Sequence, residues 1–158
     1  MKTFAKIIAA ATFAIAAIGF ATPSQAGFFN TFTPKAKLTA TISLSQQTMT
    51  VEARDKRGNL HTATWTVSTG KQGFETPTGK WRAKRLSEDH KSRKYNDAPM
   101  PHSVFFLGGY AIHGTTALGK LGQPASHGCV RLAPENAETF FELVEAYGKW
   151  NTRIVVTD

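Results

Sequence analysis

The residues with the clearest chemical potential in this 158-residue chain are its only cysteine, Cys129, and two histidines that precede it, His127 and His113. Cysteine reacts as the thiolate, and a neighbouring imidazole helps to form that thiolate. With no second cysteine in the chain, Cys129 cannot form an intramolecular disulfide. A single cysteine accompanied by histidines is a candidate nucleophile, and the alternative is a small buried hydrophobe.

The residues beside Cys129 favour the catalytic interpretation. Gly128 permits a tight turn close to a substrate, and consecutive N–H groups in such a turn can form an oxyanion hole. Arg131 can hold a carboxylate by two parallel hydrogen bonds. His113, His127 and Cys129 are also possible zinc ligands, but no fourth ligand or His-Glu-x-x-His run accompanies them. We therefore expect neither a metal nor another cofactor.

Two segments carry a family resemblance. His113-Gly114, followed by Ser126-His127-Gly128-Cys129-Val130-Arg131, resembles the signature of the L,D-transpeptidases, the YkuD-like cell-wall enzymes. The upstream segments Val67-Ser68-Thr69-Gly70 and Thr76-Pro77-Thr78-Gly79-Lys80-Trp81 resemble an early strand and turn of the same family. The resemblance covers roughly residues 38 to 157. In papain-like enzymes, by contrast, the cysteine precedes its histidine and begins a helix.

The resemblance implies a role for each matching position. Cys129 would be the nucleophile and His113 the group that activates it, with the backbone carbonyl of Gly114 orienting the imidazole. His127 and Gly128 would flank the sulfur with N–H groups that stabilise the oxyanion, and a direct catalytic role for His127 also stays open. If His113 activates the thiol, its thiolate should form below about pH 8.5, the value of a free cysteine.

Three residues are predicted on the substrate side of the site. Arg131 would order the site or bind a substrate carboxylate, Ser126 matches a structural Ser/Thr position, and Tyr110 would contact substrate or pack at the rim. His61, His90 and His102 are expected in loops or on the surface.

The implied donor is a peptidoglycan tetrapeptide stem. Cys129 would attack the carbonyl of the third residue, usually diaminopimelate, and expel the terminal D-alanine. An amine would then resolve the thioester, giving a cross-link between stems or an outer-membrane protein tethered to the wall. Resolution by water would make the protein an L,D-carboxypeptidase or amidase-type hydrolase. An inactive wall-binding module would not need Cys129 and His113 together.

The first residues predict export. Lys2 and Lys6 precede an apolar, uncharged run of 14 residues from Ile7 to Phe20, and Ser24-Gln25-Ala26 follows. This order is typical of a signal peptide, and the run is shorter than the roughly 20 residues needed to span a bilayer. We expect residues 1–26 to be cleaved, leaving no stable membrane anchor, and the protein to act in the periplasm or cell wall.

The net charge of +8 is compatible with that location. Cleavage would remove Lys2 and Lys6 and leave 17 basic against 11 acidic residues, a net charge of +6. A basic exported domain suits an anionic partner such as the cell wall or lipid headgroups, and export argues against nucleic acid.

The remaining pattern predicts a mostly β fold. Residues 27–37 form a loose lead-in, and residues 38–158 form the catalytic domain. Alternating apolar residues from Leu38 to Leu44 indicate the first of six or seven short strands. Pro134 to Tyr147 predicts the one α-helix, and Ser87 to Pro101 predicts a long surface loop. Because strands and helices do not alternate, we expect a β-sandwich rather than a parallel α/β sheet.

Overall fold

The computed structural model describes residues 37–158. The predicted signal peptide, and the lead-in up to residue 36, lie outside the described residues. Within the described range, none of the helices is long and apolar enough to cross a bilayer.

Two β-sheets and one α-helix make up this region, as the sequence predicts. The first sheet has the strand order β3-β2-β1-β9-β4. Its strands are β1 (Lys37–Ser43), β2 (Thr48–Arg54), β3 (Leu60–Thr66), β4 (Gly79–Arg82) and β9 (Thr152–Thr157). The second sheet has the order β5-β6-β7-β8. Its strands are β5 (Arg85–Ser92), β6 (Ala98–Leu107), β7 (Tyr110–Gly114) and β8 (Val130–Leu132).

Most neighbouring strands are antiparallel, but each sheet contains one parallel pair. β1 pairs in parallel with β9, and β7 pairs in parallel with β8. A parallel connection needs a long crossover, and the segment between β7 and β8 supplies one without an α-helix. The β7–β8 pair matters for function because it sets His113 and the Cys129 segment side by side.

One hydrophobic core joins both sheets to the helix. Along β1, Leu38, Ala40 and Ile42 are fully buried, which is the alternation the sequence predicts for a half-buried strand. Val104 and Ile112 of the second sheet belong to the same core. Burial of these apolar side chains is the main driving force that holds the two sheets together.

The helix α1 (Pro134–Tyr147) has the predicted bounds. Pro134 fits the first turn, where its missing N–H leaves no bond unmade, and Gly148 ends the helix with a φ of 83°. The face buried against the core consists of Ala137, Phe140, Phe141 and Val144.

The loop predicted from Ser87 to Pro101 is wrong. Residues 85–92 and 98–107 form β5 and β6, which pair as an antiparallel hairpin, so residues 37–158 contain nine strands instead of the expected six or seven. No side chain of β5 is buried, and its sequence therefore lacks the apolar alternation that marks a half-buried strand. Backbone pairing with β6 stabilises β5 without that signal.

Candidate active site

The parallel register of β7 and β8 positions the two candidate catalytic side chains. Ile112 pairs with Val130 and His113 pairs with Arg131. Cys129 directly precedes β8, so it lies level with Ala111. A thiol and an imidazole sixteen residues apart in sequence thus reach the same end of the second sheet.

Backbone hydrogen bonds attach the cysteine segment to the chain that follows β3. Ser68 exchanges two bonds with Arg131, with N···O distances of 3.0 and 2.8 Å. The Thr69 carbonyl accepts from the N–H of Ser126 at 2.9 Å, and Lys71 donates its N–H to the Ser126 carbonyl at 3.1 Å. These bonds fix the segment on both sides of Cys129.

Ser126 organises the tight turn that leads into Cys129. Its buried hydroxyl donates to the Cys129 carbonyl at 2.5 Å and accepts from the Gly128 N–H at 3.0 Å. Gly128 has a φ of 110°, a conformation that favours glycine. A Cβ added there would lie 2.5 Å from a ring carbon of Tyr110. Ser126 and Tyr110 therefore both shape this turn.

A residue that the sequence analysis did not single out holds the same turn from behind. The hydroxyl of Thr76, 2% exposed, donates to the Gly128 carbonyl at 2.7 Å and accepts from the Gly70 N–H at 2.9 Å. In the sequence, Thr76 is only the first residue of the resemblance segment Thr76–Trp81. Its role depends on a contact 52 positions away, which no local pattern reveals.

The Cys129 thiol lines a cavity and packs against Met100, Phe105 and Ala111. Its sulfur is 3.8 Å from the Gly109 carbonyl oxygen, within reach of a weak S–H hydrogen bond. Burial raises the pKa of the Cys129 thiol, outweighing the backbone N–H of Ala111 and the charge of Arg131. The expected low thiol pKa is therefore contradicted, because desolvation penalises the thiolate.

His113 is 5% exposed, and its Nδ1 bonds the Gly114 carbonyl oxygen at 2.7 Å. Burial lowers the pKa of His113 to about 4, although the Gly114 carbonyl favours the charged form. The imidazole is therefore neutral at pH 7. Because a carbonyl oxygen only accepts, the proton is on Nδ1 and Nε2 carries the lone pair. At neutral pH the site thus combines a neutral thiol with a neutral imidazole base.

His127 is exposed at the rim of the cavity, between two aromatic rings. Tyr95, from the β5–β6 turn, stacks on it with a centroid distance of 4.7 Å and an interplanar angle of 26°. Phe74 meets it edge-on, also at 4.7 Å. Some desolvation, with the charges of Lys71, Arg131 and Lys94, lowers the pKa of His127. His127 therefore connects the segments that carry Tyr95 and Phe74 at the rim of the cavity.

The cavity has a volume of about 720 Å³ and gathers most of the predicted site residues. Seven of them line it: Tyr110, His113, Gly114, Ser126, His127, Cys129 and Arg131. Gly128 is buried against Tyr110 and Thr76. Within residues 37–158, no three His, Cys, Asp or Glu side chains converge as a possible metal site.

The hairpin of β5 and β6 forms the other side of the cavity, and sequence analysis missed its contribution. Arg85, Arg93 and Lys94 line the cavity from this hairpin.

His90, expected in a loop or on the surface, lies on β5, lines the cavity and meets Phe105 edge-on at 4.9 Å. His102 lies half-buried on β6 against Phe141, whereas His61 is exposed on β3. Because residues 87–101 were predicted as a surface loop, the positions of His90, Arg93 and Lys94 at the cavity could not be predicted.

Comparison with known proteins places this arrangement in a family. The model of the YkuD L,D-transpeptidase catalytic domain matches residues 38–156. No curated protein matches the sequence.

The fold of this chain resembles those of several solved structures. An L,D-transpeptidase from Stackebrandtia nassauensis is 26% identical, with a TM-score of 0.64 over 85% of this chain and 62% of its own. One from Mycobacterium smegmatis is 23% identical, with a TM-score of 0.65 over 78% and 59%. L,D-transpeptidase 3 from Mycobacterium tuberculosis, with a faropenem-derived adduct, is 19% identical, with a TM-score of 0.65 over 78% and 61%.

This chain spans about three fifths of the length of those structures. The family model, in contrast, covers about three quarters of this chain and includes both the His113 and the Cys129 segments. The chain therefore belongs to the L,D-transpeptidase (YkuD) family.

Proposed function

We propose that this protein is a cysteine-dependent peptidoglycan L,D-transpeptidase in which Cys129 is the nucleophile and His113 the general base. The observation that carries the proposal is the bond between His113 Nδ1 and the Gly114 carbonyl, 2.7 Å long. It leaves Nε2 free to accept a proton in the cavity that also contains the thiol. Family membership supports the choice of a peptidoglycan stem as substrate.

In the acylation half-reaction, Cys129 attacks the carbonyl of the third stem residue while His113 Nε2 takes the thiol proton. The tetrahedral intermediate collapses, the peptide bond breaks, and the imidazolium returns the proton to the leaving amine of D-alanine. The product is a thioester between Cys129 and the shortened stem. The energy of the broken peptide bond is retained in the thioester, so no ATP is required.

In the second half-reaction an acceptor amine attacks the thioester. His113 takes a proton from the amine, the C–S bond breaks, and the thiol recovers its proton. An amine on a neighbouring stem gives a cross-link between two third residues, and a lysine of an outer-membrane protein gives a protein tethered to the wall. Attack by water would release the shortened stem instead.

The tetrahedral oxyanion requires hydrogen-bond donors beside the sulfur. The Gly128 N–H, which the resemblance assigned to this task, donates to Ser126 Oγ in the resting turn. We assign the oxyanion to the neighbouring N–H groups of His127 and Cys129, with Gly128 fixing the turn that aims them. Thr76 and Ser126 are positioning residues in this scheme because they hold Gly128 and contact no reacting atom.

Export to the periplasm or cell wall belongs to the same proposal. The basic, apolar and small-residue order of residues 1–26 supports a cleaved signal peptide. The net positive charge suits a polyanionic wall.

The test is incubation of the purified protein with a disaccharide-tetrapeptide, with and without an acceptor amine, followed by mass analysis of the products. We expect release of D-alanine and a product that joins donor to acceptor, with both abolished in Cys129→Ala. Release of D-alanine without a donor–acceptor product, whichever acceptor amine is added, would identify a hydrolase. Binding of the stem with no turnover would support the wall-binding module.

A β-lactam gives an independent test of the nucleophile. The Mycobacterium tuberculosis neighbour was solved with a faropenem-derived adduct. We expect faropenem to add covalently to this protein at Cys129 and not to add to Cys129→Ala.

A further inference from the structure

The charged side chains that line the cavity all have the same sign. They are Arg85, Arg93, Lys94 and Arg131, and no Asp or Glu lines the cavity within the described residues. β5 carries Glu88 and Asp89, but neither faces the cavity. A pocket with cations on several sides and no acidic group attracts anionic ligands and repels cationic ones.

Two of these cations have defined positions around the nucleophile. Arg131 follows Cys129 by two residues on β8, and its charge acts on both Cys129 and His113. Arg85 lies on β5, at the other edge of the same sheet. Its guanidinium carbon is 3.6 Å from the centroid of the Phe105 ring. Phe105 in turn belongs to the cluster against which Cys129 packs.

Stacking on Phe105 makes Arg85 different from a freely moving surface cation. An aromatic face beneath a guanidinium leaves its N–H edges available for ligands and restricts its rotamers. Less side-chain entropy is then lost when a carboxylate binds by two parallel hydrogen bonds. His90, which meets the same ring edge-on, has its pKa lowered by burial and then by the charges of Arg85 and Arg93. It therefore carries less positive charge at neutral pH than an ordinary histidine.

From this geometry we propose that Arg85 is a specificity-determining residue that binds a carboxylate of the donor stem. The enzyme then prefers a stem in which this carboxylate is free over a stem in which it is a carboxamide. The inference rests on the proposed function for the identity of the donor. Where the third residue of the stem is diaminopimelate, its side chain ends in a free carboxylate, several bonds from the carbonyl that Cys129 attacks. Amidation preserves the shape of this group and removes its charge.

The first experiment measures attraction of a carboxylate to the Cys129 site without any stem. Cys129 is the only thiol of the protein. It is alkylated in parallel with iodoacetate and iodoacetamide, which differ in charge at the group next to the reactive carbon. We expect Arg85→Gln to lower the ratio of the iodoacetate rate to the iodoacetamide rate by about three-fold or more. Arg57→Gln, an equal charge change in the exposed β2–β3 turn, should leave the ratio unchanged.

The second experiment compares two tetrapeptide stems, one with a free side-chain carboxylate on the third residue and one with the carboxamide. Acylation of Cys129 is followed by intact mass to give kcat/KM for each stem. We expect the wild type to prefer the free carboxylate by about ten-fold or more, as for a charge-assisted bidentate pair. Arg85→Gln should lose most of this preference, Arg85→Lys should restore part of it, and Arg57→Gln should retain it.

An unchanged stem preference in Arg85→Gln, or an alkylation ratio equal to the wild-type value, would overturn the assignment of Arg85. Acylation by neither stem would contradict the proposed function instead. In that case the alkylation ratio alone would decide whether Arg85 binds carboxylates, because it needs no transpeptidation. The two failures are therefore distinguishable.

Discussion

The two sides of the active-site cavity are built differently. The turn wall, residues 68–76 and 126–131, is largely buried where it meets Cys129, and Ser126, Thr76 and Gly128 satisfy one another's polar groups. The hairpin wall, residues 85–107, brings Arg85, Arg93, Lys94 and Tyr95 to a partly exposed surface. A buried polar network is costly to disturb, whereas an exposed cation is not. We infer that the turn wall sets the rate of the reaction and the hairpin wall selects the substrate.

The largest effect should come from Gly128→Ala in the turn wall. The added Cβ would lie 2.5 Å from Tyr110 in a backbone conformation with a φ of 110°. We expect acylation to fall by about 100-fold or more, because the turn that carries Cys129 must shift. Gly119→Ala is the matched control, since no atom lies within 4 Å of its added Cβ. Near-wild-type acylation by Gly128→Ala would show that the turn tolerates displacement.

The second prediction concerns stability at acidic pH. The pKa of His113 is about 4 in the folded protein, below its ordinary value of 6.5, so between these values the unfolded chain binds more protons. The contribution of neutral His113 to the free energy of unfolding is therefore fully present above about pH 6.5. It decreases by about 3 kcal/mol as the pH falls to about 4.

Chemical denaturation of the wild type and His113→Gln between pH 4 and pH 7 measures this effect. Between pH 7 and pH 4, we expect the unfolding free energy of His113→Gln to fall by about 3 kcal/mol less than that of the wild type. His61→Gln, at an exposed position, serves as the control and should behave as the wild type. Equal pH dependence in all three proteins would show that His113 is not buried as a neutral group.

Thr76→Val should have a smaller effect. Valine has the shape of threonine but cannot bond the Gly128 carbonyl or the Gly70 N–H, both of which would lose a partner. We expect a loss of about 1–3 kcal/mol in the free energy of unfolding.

The catalytic consequence separates positioning from folding. We expect the acylation kcat of Thr76→Val to fall about ten-fold at temperatures where the variant is fully folded, with KM little changed. Thr76→Ser keeps the hydroxyl and should restore kcat. An equal loss in both variants would point to packing by the methyl group rather than to the hydrogen bonds.

The smallest effect should come from Tyr95→Ala in the hairpin wall. Its ring stacks on His127, and an aromatic pair of this kind contributes about 0.5–1.5 kcal/mol. We expect a change in KM of a few-fold with kcat nearly unchanged, and Tyr95→Phe should match the wild type. A large loss of kcat in Tyr95→Ala would contradict the division of labour between the two walls.

The same comparison explains what could be predicted from sequence. The first strand and the helix were predicted because burial on one face imposes a period on the sequence, as at Leu38, Ala40 and Ile42. The candidate residues around Cys129 were found because they are close in sequence and match a family signature. Both the elements and the candidate residues could be predicted because each depends on residues that are close together in the sequence.

The contributions of β5 and Thr76 depend on contacts between distant segments. β5 has no buried residue to reveal it, so residues 87–101, which include His90, were predicted as a surface loop, and Arg85 was not singled out. The hydroxyl of Thr76 gains its meaning only when Gly128 is placed beside it. The thiol pKa was predicted in the wrong direction because the depth of burial around Cys129 is a property of the folded cavity.

Identification of the covalent intermediate tests the central claim most directly. The protein is mixed with a tetrapeptide stem, quenched in acid within the first turnover, and digested for peptide mapping by mass spectrometry. We predict a stem that lacks D-alanine, attached through a thioester to the peptide containing Cys129 and absent from Cys129→Ala. Release of D-alanine by Cys129→Ala at the wild-type rate, with no adduct on the wild type, would contradict the account.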